Sequence, residues 1–139
     1  MVLDKLQTMV SYSSLRAILI DKGLARLGDP LVNFIYSLAK SCALGKFTSW
    51  KVPDKVLAQA LRDAEMRSVV SQKASKHDLG VSVEALVVHE WIHQKVSIED
   101  LVSILYEHLK TGDFSDKRKE ERIAVQAFTA LLLEIQKNY

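Results

Sequence analysis

The sequence predicts an all-α fold. Five Gly and two Pro among 139 residues leave little material for turns, so long helices joined by short loops are expected. No stretch alternates apolar and polar residues for long, as a half-buried strand would. Hydrophobic residues make up 48% of the chain and charged residues 26%, which suits a single helical domain spanning residues 1–139.

The first two helices follow from apolar residues at helical spacing. These residues are Leu3, Leu6, Val10, Leu15, Ile18 and Leu19. A polar segment at residues 11–14 separates the two helices, and Gly23 is the expected end of the second one.

The most apolar helix of the chain is predicted after Asp29 and Pro30. Its buried face is expected to hold Leu31, Val32, Phe34, Ile35, Leu38, Ala39 and Cys42. Asp29 has a structural interpretation here, because Asp at a helix N-cap and Pro at the first helical position are both favoured. Cys42 is the only cysteine, which excludes an internal disulfide, and a small buried side chain is its expected role. Gly45 is the expected end of this helix.

Four more helices are predicted in the rest of the chain. Their expected starting points are Pro53, Ser82, Ser97 and Ser115. Ser97 with Asp100 three residues later resembles a capping arrangement. The polar segment at residues 71–80 is expected to be a loop or a weak helix. Glu84 then falls in the first turn of the helix from Ser82, where an acid faces the positive helix end.

Charge and hydropathy limit the location of the protein and its partners. The net charge is +2, which permits nucleic-acid binding but does not require it, since dedicated basic domains carry far more positive charge. The N-terminus has no long apolar run behind a positive flank, and no window approaches the roughly 18–20 apolar residues of a membrane span. The sequence therefore predicts a cytoplasmic protein without a membrane segment.

Two carboxylates, Asp29 and Glu84, lie beside or within strongly apolar helices. A carboxylate in such a place is costly unless it is paired, used as a cap or bound to a metal. The residues around the two acids favour the last of these interpretations.

Three stretches of the chain carry a family resemblance. Residues 25–32 read Ala-Arg-Leu-Gly-Asp-Pro-Leu-Val, residues 83–87 read Val-Glu-Ala-Leu-Val, and residues 50–59 read Trp-Lys-Val-Pro-Asp-Lys-Val-Leu-Ala-Gln. The first stretch is similar to the ribonuclease III signature, in which Leu-Gly-Asp lies on a core helix, and the second to that family's Phe-Glu-Ala-Leu motif. The third looks like the linking helix of the small single-domain branch called Mini-III. The resemblance covers roughly residues 20–95.

The resemblance implies an all-helical homodimer that binds double-stranded or structured RNA in a valley between its subunits. It makes Asp29 and Glu84 the catalytic carboxylates, and they would hold Mg²⁺ or Mn²⁺. Hard oxygen ligands suit such ions, which lower the pKa of a bound water and neutralise charge that grows on a phosphate. The sequence does not identify which residues bind the RNA.

The chain departs from the family pattern at two positions. Ala25 and Val81 stand where the family has a glutamate and an aspartate, although the Mini-III branch also lacks the first. Asn33, one helical turn after Asp29, and Asp78 are candidates to support the metal instead. An alternative interpretation is therefore a dimeric RNA-binding or scaffold protein of the same fold that has lost catalysis.

A second motif points to a different enzyme class. His89, Glu90 and His93 match the His-Glu-x-x-His pattern of zinc metallopeptidases, in which two histidines bind zinc and the glutamate is the base. The third ligand that such a site needs is not evident. The simpler expectation is that both histidines lie on a solvated helix face, away from Glu84.

The mixed-charge run at residues 117–122 reads Lys-Arg-Lys-Glu-Glu-Arg. It is expected to be the solvated start of the last helix, with contact to RNA phosphates as the alternative.

Overall fold

The computed structural model describes residues 1–10 and 14–139, and these residues form helices and no strand. The helices are α1 (Val2–Met9), α2 (Leu15–Leu19), α3 (Lys22–Leu44), α4 (Asp54–Asp63), α5 (Lys76–Ile92), α6 (Ile98–Leu109) and α7 (Lys117–Gln136). A short 3-10 turn, Arg67–Val69, lies between α4 and α5. The predicted all-α class is confirmed. Most of the polar segment predicted between the first two helices, residues 11–13, lies outside the described residues.

Helix α5 is the centre of the fold. From Leu79 to Glu90 only Val81 keeps appreciable exposure, so the helix is buried around most of its circumference. It packs between α3 and α4, and α2 lies against it as well. The Ser82 hydroxyl donates a hydrogen bond of 2.7 Å to the carbonyl oxygen of Leu19, which joins α2 to α5.

A buried polar cluster joins α3 to α7, and no local sequence pattern predicted it. The Lys40 ammonium lies 2.8 Å from Glu120 Oε2, and the Tyr36 hydroxyl donates to the same oxygen at 2.9 Å. Tyr36 is fully buried, and burial beside Glu120 raises the pKa of its phenol well above the usual range. Removing one partner would leave a buried charge without compensation, so the cluster specifies how α7 docks.

The structure corrects the predicted start of α3. The helix begins at Lys22, and its N-cap is Asp21, whose carboxylate accepts a hydrogen bond of 2.9 Å from the backbone N–H of Leu24. Gly23 therefore lies in the first turn of α3 and does not end α2. Asp29 is in the middle of the helix, so its interpretation as an N-cap is wrong. Pro30 is also inside the helix and exposed, where its missing N–H removes one helical hydrogen bond.

Helix α5 begins six residues before the predicted start at Ser82. Ser75 and Asp78 form a capping box, in which each side chain accepts a hydrogen bond from the other's backbone N–H, at 3.2 and 3.0 Å. Part of the polar segment at residues 71–80 is thus the first turn of α5. Glu84 is consequently a mid-helix residue, not a first-turn acid.

Other predicted boundaries are confirmed. Pro53 is the N-cap of α4, and Ser97 with Asp100 forms the capping box of α6. Gly45 ends α3 in the left-handed conformation with φ of 69°, which glycine adopts without a steric penalty. Among the described residues, no helix combines the length and the apolar character that crossing a membrane requires.

The outer face of α3 is exposed, contrary to the prediction for two of its residues. Phe34 and Cys42 were expected on the buried face, but Phe34 is 53% exposed and Cys42 is also exposed. Leu27, two turns before Phe34, is 44% exposed. The reason is that α3 packs on α5 and α6 along one side only, so its apolar pattern is wider than the face that the chain itself covers.

Candidate active site between α3, α4 and α5

The crossing of α3 and α5 brings Asp29 next to Glu84. A Cβ atom added to Gly28 would lie 2.0 Å from the carbonyl oxygen of Glu84 and 2.5 Å from its carbonyl carbon. No side chain fits in that space, so glycine is what lets the two backbones approach this closely. The Leu-Gly-Asp stretch therefore has a physical role: its glycine sets the helix crossing, and the following aspartate faces the partner helix.

Asn33 holds the Asp29 carboxylate in place. The Asn33 amide donates a hydrogen bond of 3.2 Å to Asp29 Oδ1, one turn earlier on α3. The Asn33 carbonyl oxygen accepts a hydrogen bond of 2.8 Å from the backbone N–H of Val52. Because the oxygen of Asn33 is already used, this side chain acts as a support for Asp29 and for the segment before α4.

Glu84 is a carboxyl group that is poorly able to ionise. Its side chain is 93% buried by area. Burial is the largest cause that raises its pKa to about 8, followed by the hydrogen bond and the charge of Asp29 and then the charge of Asp54. Lys51 opposes the shift. Near neutral pH, Glu84 therefore retains a proton and shares it with Asp29 unless another positive charge enters the site.

The two carboxylates open onto a cavity of about 550 Å³. Its walls also include Ala25 and Val81, the two positions where the resemblance expects carboxylates. The chain thus places all four of these positions around one space, and it fills two of them with apolar side chains. Three cations, Lys22, Arg26 and Lys51, line the same cavity, which suits an anionic ligand.

Asp54 and His77 form the rim of the cavity, and sequence reasoning missed both as site residues. Asp54 lies in the first turn of α4, and its Oδ2 is 3.0 Å from Nδ1 of His77 in the first turn of α5. The Asp54 side chain also lies beside Gly80, because a Cβ atom there would be 3.2 Å from Asp54 Oδ1. The available signal was its place after Pro53, in the stretch that resembles the linking helix.

Asp78 does not join the site. Its carboxylate is used in the capping box, where the hydrogen bond from the Ser75 backbone N–H lowers its pKa. It is not among the residues that line the cavity. Asp78 would support a metal here only if the N-terminal turn of α5 opened.

The donor set of the cavity fits a hard divalent cation. Asp29 and Glu84 supply carboxylate oxygens, and a cation between them would relieve the repulsion that raises the pKa of Glu84. In the part of the chain that the structure describes, no three His, Cys, Asp or Glu side chains converge into a metal cage. Two carboxylates are enough for Mg²⁺, which keeps several waters, whereas zinc sites use three or four protein ligands.

The His-Glu-x-x-His motif lies at the other end of α5 and is not solvated as expected. His89 is 4% exposed and Glu90 is fully buried, so the prediction of a solvated face is wrong for His89, whereas His93 is half-buried. The ring centroids of His89 and His93 are 4.4 Å apart. Within the described residues, however, they lack the third ligand that a zinc site needs.

Glu90 cannot serve as the base of a peptidase in this structure. Its carboxylate accepts hydrogen bonds from the Tyr139 hydroxyl at 2.7 Å and from the Asn138 amide at 3.2 Å. His89 Nδ1 is 3.1 Å away. Burial alone would raise the pKa of Glu90, but these hydrogen bonds and the charge of Lys95 outweigh it and the pKa is lowered. The motif therefore anchors the segment after α7 and gives no support to a zinc peptidase.

Comparison with protein-family models matches residues 22–139 to the model described as Ribonuclease III. The match covers most of the chain, from the start of α3 to the end, and contains both carboxylates of the cavity. A search of the curated proteins finds no match.

Proposed function

The chain belongs to the ribonuclease III family, and from that premise we propose that it is a metal-dependent endoribonuclease that cleaves double-stranded or structured RNA. The observation that carries the proposal is the pairing of Asp29 with Glu84 across the Gly28 crossing. Two carboxyl groups forced together in the wall of one cavity are destabilising without a ligand, and a divalent cation resolves that conflict.

The roles of the residues follow from their positions. Asp29, held by Asn33, and Glu84, after losing its proton, would bind Mg²⁺ or Mn²⁺. When bound, such an ion supplies a water of lowered pKa and neutralises charge on the phosphate. Lys22, Arg26 and Lys51 on the cavity walls would hold the RNA phosphates next to the carboxylates.

The exposed face of α3 supports the proposal of a homodimer. Leu27, Leu31, Phe34 and Leu38 recur at intervals of four, three and four residues, so they form one stripe. Leu27 and Phe34 are each about half exposed. An isologous contact through it would bury the stripe and place two cavities on one assembly, one for each strand of a duplex. The cytoplasmic location stays a prediction.

The substitution Asp29→Asn tests the proposed activity. It keeps the size of the side chain and its hydrogen bond to Asn33 but removes the charge that holds the metal. Cleavage of duplex RNA in Mg²⁺ or Mn²⁺ should fall by about 100-fold or more, since a metal supplies several kcal/mol of transition-state stabilisation. Duplex binding should persist, because it depends on contacts to phosphate and ribose. Wild-type protein should also melt at a higher temperature with Mn²⁺, and the variant should not.

Glu134→Gln is the control, because Glu134 is an exposed carboxylate near the end of α7 that pairs with Lys137 at 2.9 Å and is not among the residues that line the cavity. It should leave cleavage and the response to Mn²⁺ unchanged. A wild type that neither binds nor cuts RNA would defeat the proposal. Sedimentation of the wild type as a monomer at micromolar concentration would contradict the proposed homodimer.

A second function, a catalytically inactive dimeric RNA-binding or scaffold protein, is favoured by one observation. Ala25 and Val81 line the cavity at the two family carboxylate positions, so half of that acidic set is absent from the site itself. The outcome that selects this alternative is a wild type that binds duplex RNA tightly but cuts nothing with Mg²⁺, Mn²⁺ or other divalent ions.

A further inference from the structure

A second groove, between α4 and α7, is strongly basic. Its basic lining residues are Lys55, Arg62, Lys76, Arg118 and Arg122. Two acids, Asp63 and Glu121, share the lining. Five positive against two negative side chains give the groove a net charge of +3, which exceeds the +2 of the whole chain. Positive charge is thus concentrated at this groove and not spread over the surface.

Three arginines of the groove are without an acidic partner. Lys55 Nζ forms an ion pair with Glu121 Oε2 at 3.0 Å. Arg62, Arg118 and Arg122 form no ion pair with any residue that the structure describes. Arg118 and Arg122 are one helical turn apart on α7, and Arg62 lies opposite them in the last turn of α4. Three unneutralised guanidinium groups around one groove repel one another, and their forked donors match phosphate oxygens.

The groove continues from the carboxylate cavity. Asp54 and His77, in contact at 3.0 Å, line the cavity, and their chain neighbours Lys55 and Lys76 line the groove. From Asp54 to Arg62 the helix rises roughly 12 Å. A nucleic-acid strand carries about one phosphate per 3.4 Å of duplex axis. A strand that lies in the cavity would therefore present several further phosphates along α4 toward the three arginines.

We propose that Arg62, Arg118 and Arg122 form a second phosphate-binding site, which holds the backbone of the duplex RNA beyond the carboxylate cavity. The inference rests on the proposed function and adds the surface that the substrate follows. It also gives a role to two basic residues of the mixed-charge run at 117–122. Arg118 and Arg122 line the groove, whereas Lys117 and Lys119 do not. Binding there is to the backbone, so it is independent of base sequence.

The test compares two double variants on one helix, both in the non-cleaving Asp29→Asn background. Arg118→Gln with Arg122→Gln removes two charges from the groove. Lys117→Gln with Lys119→Gln removes two charges from the same stretch of α7, outside the groove. The measurement is the affinity for a fluorescently labelled RNA duplex by anisotropy, over a range of salt concentrations, with folding of each variant checked by urea unfolding.

The groove variant should bind at least about tenfold more weakly, and its slope of log affinity against log salt should be smaller by about two, one for each lost phosphate contact. The control should change the slope far less. Arg62→Gln, on the other helix, should reduce the slope by about one, which keeps the test valid if the α7 variant does not fold.

Equal affinities and slopes for the groove variant and the control overturn the second site while leaving the proposed function intact. If the groove variant loses affinity but the wild type cuts nothing, the second site stands and catalysis fails. If the wild type does not bind duplex RNA, both proposals fall.

Discussion

Two glutamates on α5, Glu84 and Glu90, show how the same side chain takes opposite roles. Both are buried, at 7% and 0% exposure. The pKa of Glu84 is raised to about 8, whereas the pKa of Glu90 is lowered. Burial pushes both pKa values upward, so the difference comes from the neighbours. Glu84 meets other carboxylates, and Glu90 meets hydrogen-bond donors and Lys95.

The positions of the two residues on the helix explain their different neighbours. Six residues separate them, which turns the side chains roughly 120° apart. Glu84 faces α3 at the Gly28 crossing, and Glu90 faces the segment after α7, where Asn138 and Tyr139 bond to it. A buried carboxylate with satisfied oxygens contributes to the fold, whereas one crowded by acids at a cavity is suited to bind a cation.

The largest expected effect is the loss of activity in Glu84→Gln. The substitution keeps the shape of the side chain but removes the carboxylate that would hold the metal, so RNA cleavage should fall by about 100-fold or more. Stability of the metal-free protein should hold near neutral pH, where Glu84 keeps its proton, and should rise at higher pH, where an ionised Glu84 would be repelled by Asp29. Steady-state cleavage of duplex RNA and urea unfolding measure the two effects. Undiminished cleavage would remove Glu84 from the proposed chemistry.

For Glu90→Gln we expect the opposite combination, a loss of stability with cleavage unchanged. The amide cannot accept the full set of hydrogen bonds from Tyr139, Asn138 and His89, so the protein should lose about 1.5–3 kcal/mol of unfolding free energy. Cleavage per folded molecule should stay near the wild-type rate. A variant as stable as the wild type, with lost cleavage, would mean that Glu90 belongs to a catalytic site after all.

Much of the fold could be predicted because its signals are local. Capping at Ser97, the Pro53 start and the Gly45 end each depend on a few neighbouring residues. The start of α5 was missed because its capping box lies in a polar segment, where the spacing of apolar residues does not indicate a helix. The pair of Lys40 with Glu120 was also beyond prediction, since it joins residues 80 positions apart through the docking of α7.

The residues of the candidate site also divide into those with a local sequence signal and those that depend on how the helices dock. Asp29 and Glu84 were predicted from the sequence motifs around them. One of these motifs contains Gly28, the glycine at which α3 and α5 cross. Asp54 and His77 were missed as a pair, because their contact depends on how α4 docks beside α5. The histidines near Glu90 were misplaced on a solvated face, because that end of α5 contacts segments far away in the sequence. Gln7 of α1 bonds to the carbonyl oxygen of Ile92, and Asn138 and Tyr139 bond to Glu90.

A smaller effect on stability is expected when the pH is changed, and it distinguishes Glu84 from Glu90. The pKa of Glu84 is about 8 in the folded state and near 4.5 when unfolded, so the folded protein holds the extra proton between these values. Stability of the metal-free protein should therefore fall as pH rises from 5 to 8. Glu84→Gln should flatten this part of the profile, as measured by urea unfolding at each pH. Stabilisation by Mg²⁺ should grow over the same range, because the ion replaces the proton.

Glu90 contributes in a different range. Its lowered pKa means that the stability it confers is lost only as pH falls below the ordinary range of a carboxyl group. Glu90→Gln should thus leave the slope between pH 5 and 8 unchanged. If Glu84→Gln and the wild type show the same slope, the proton shared with Asp29 does not exist in solution.

The smallest expected effect is that of Tyr139→Phe, which removes one donor from Glu90. The hydroxyl bond of 2.7 Å is lost, but His89 and Asn138 remain, and the ring still lies 4.8 Å from the Lys95 ammonium. We expect a loss of about 1 kcal/mol in unfolding free energy and no change in cleavage. Tyr106→Phe is the control, since its hydroxyl makes no hydrogen bond to the residues that the structure describes. Equal stability of the two variants would show that the Tyr139 hydroxyl adds nothing to Glu90, and the contrast with Glu84 would then depend on His89, Asn138 and Lys95.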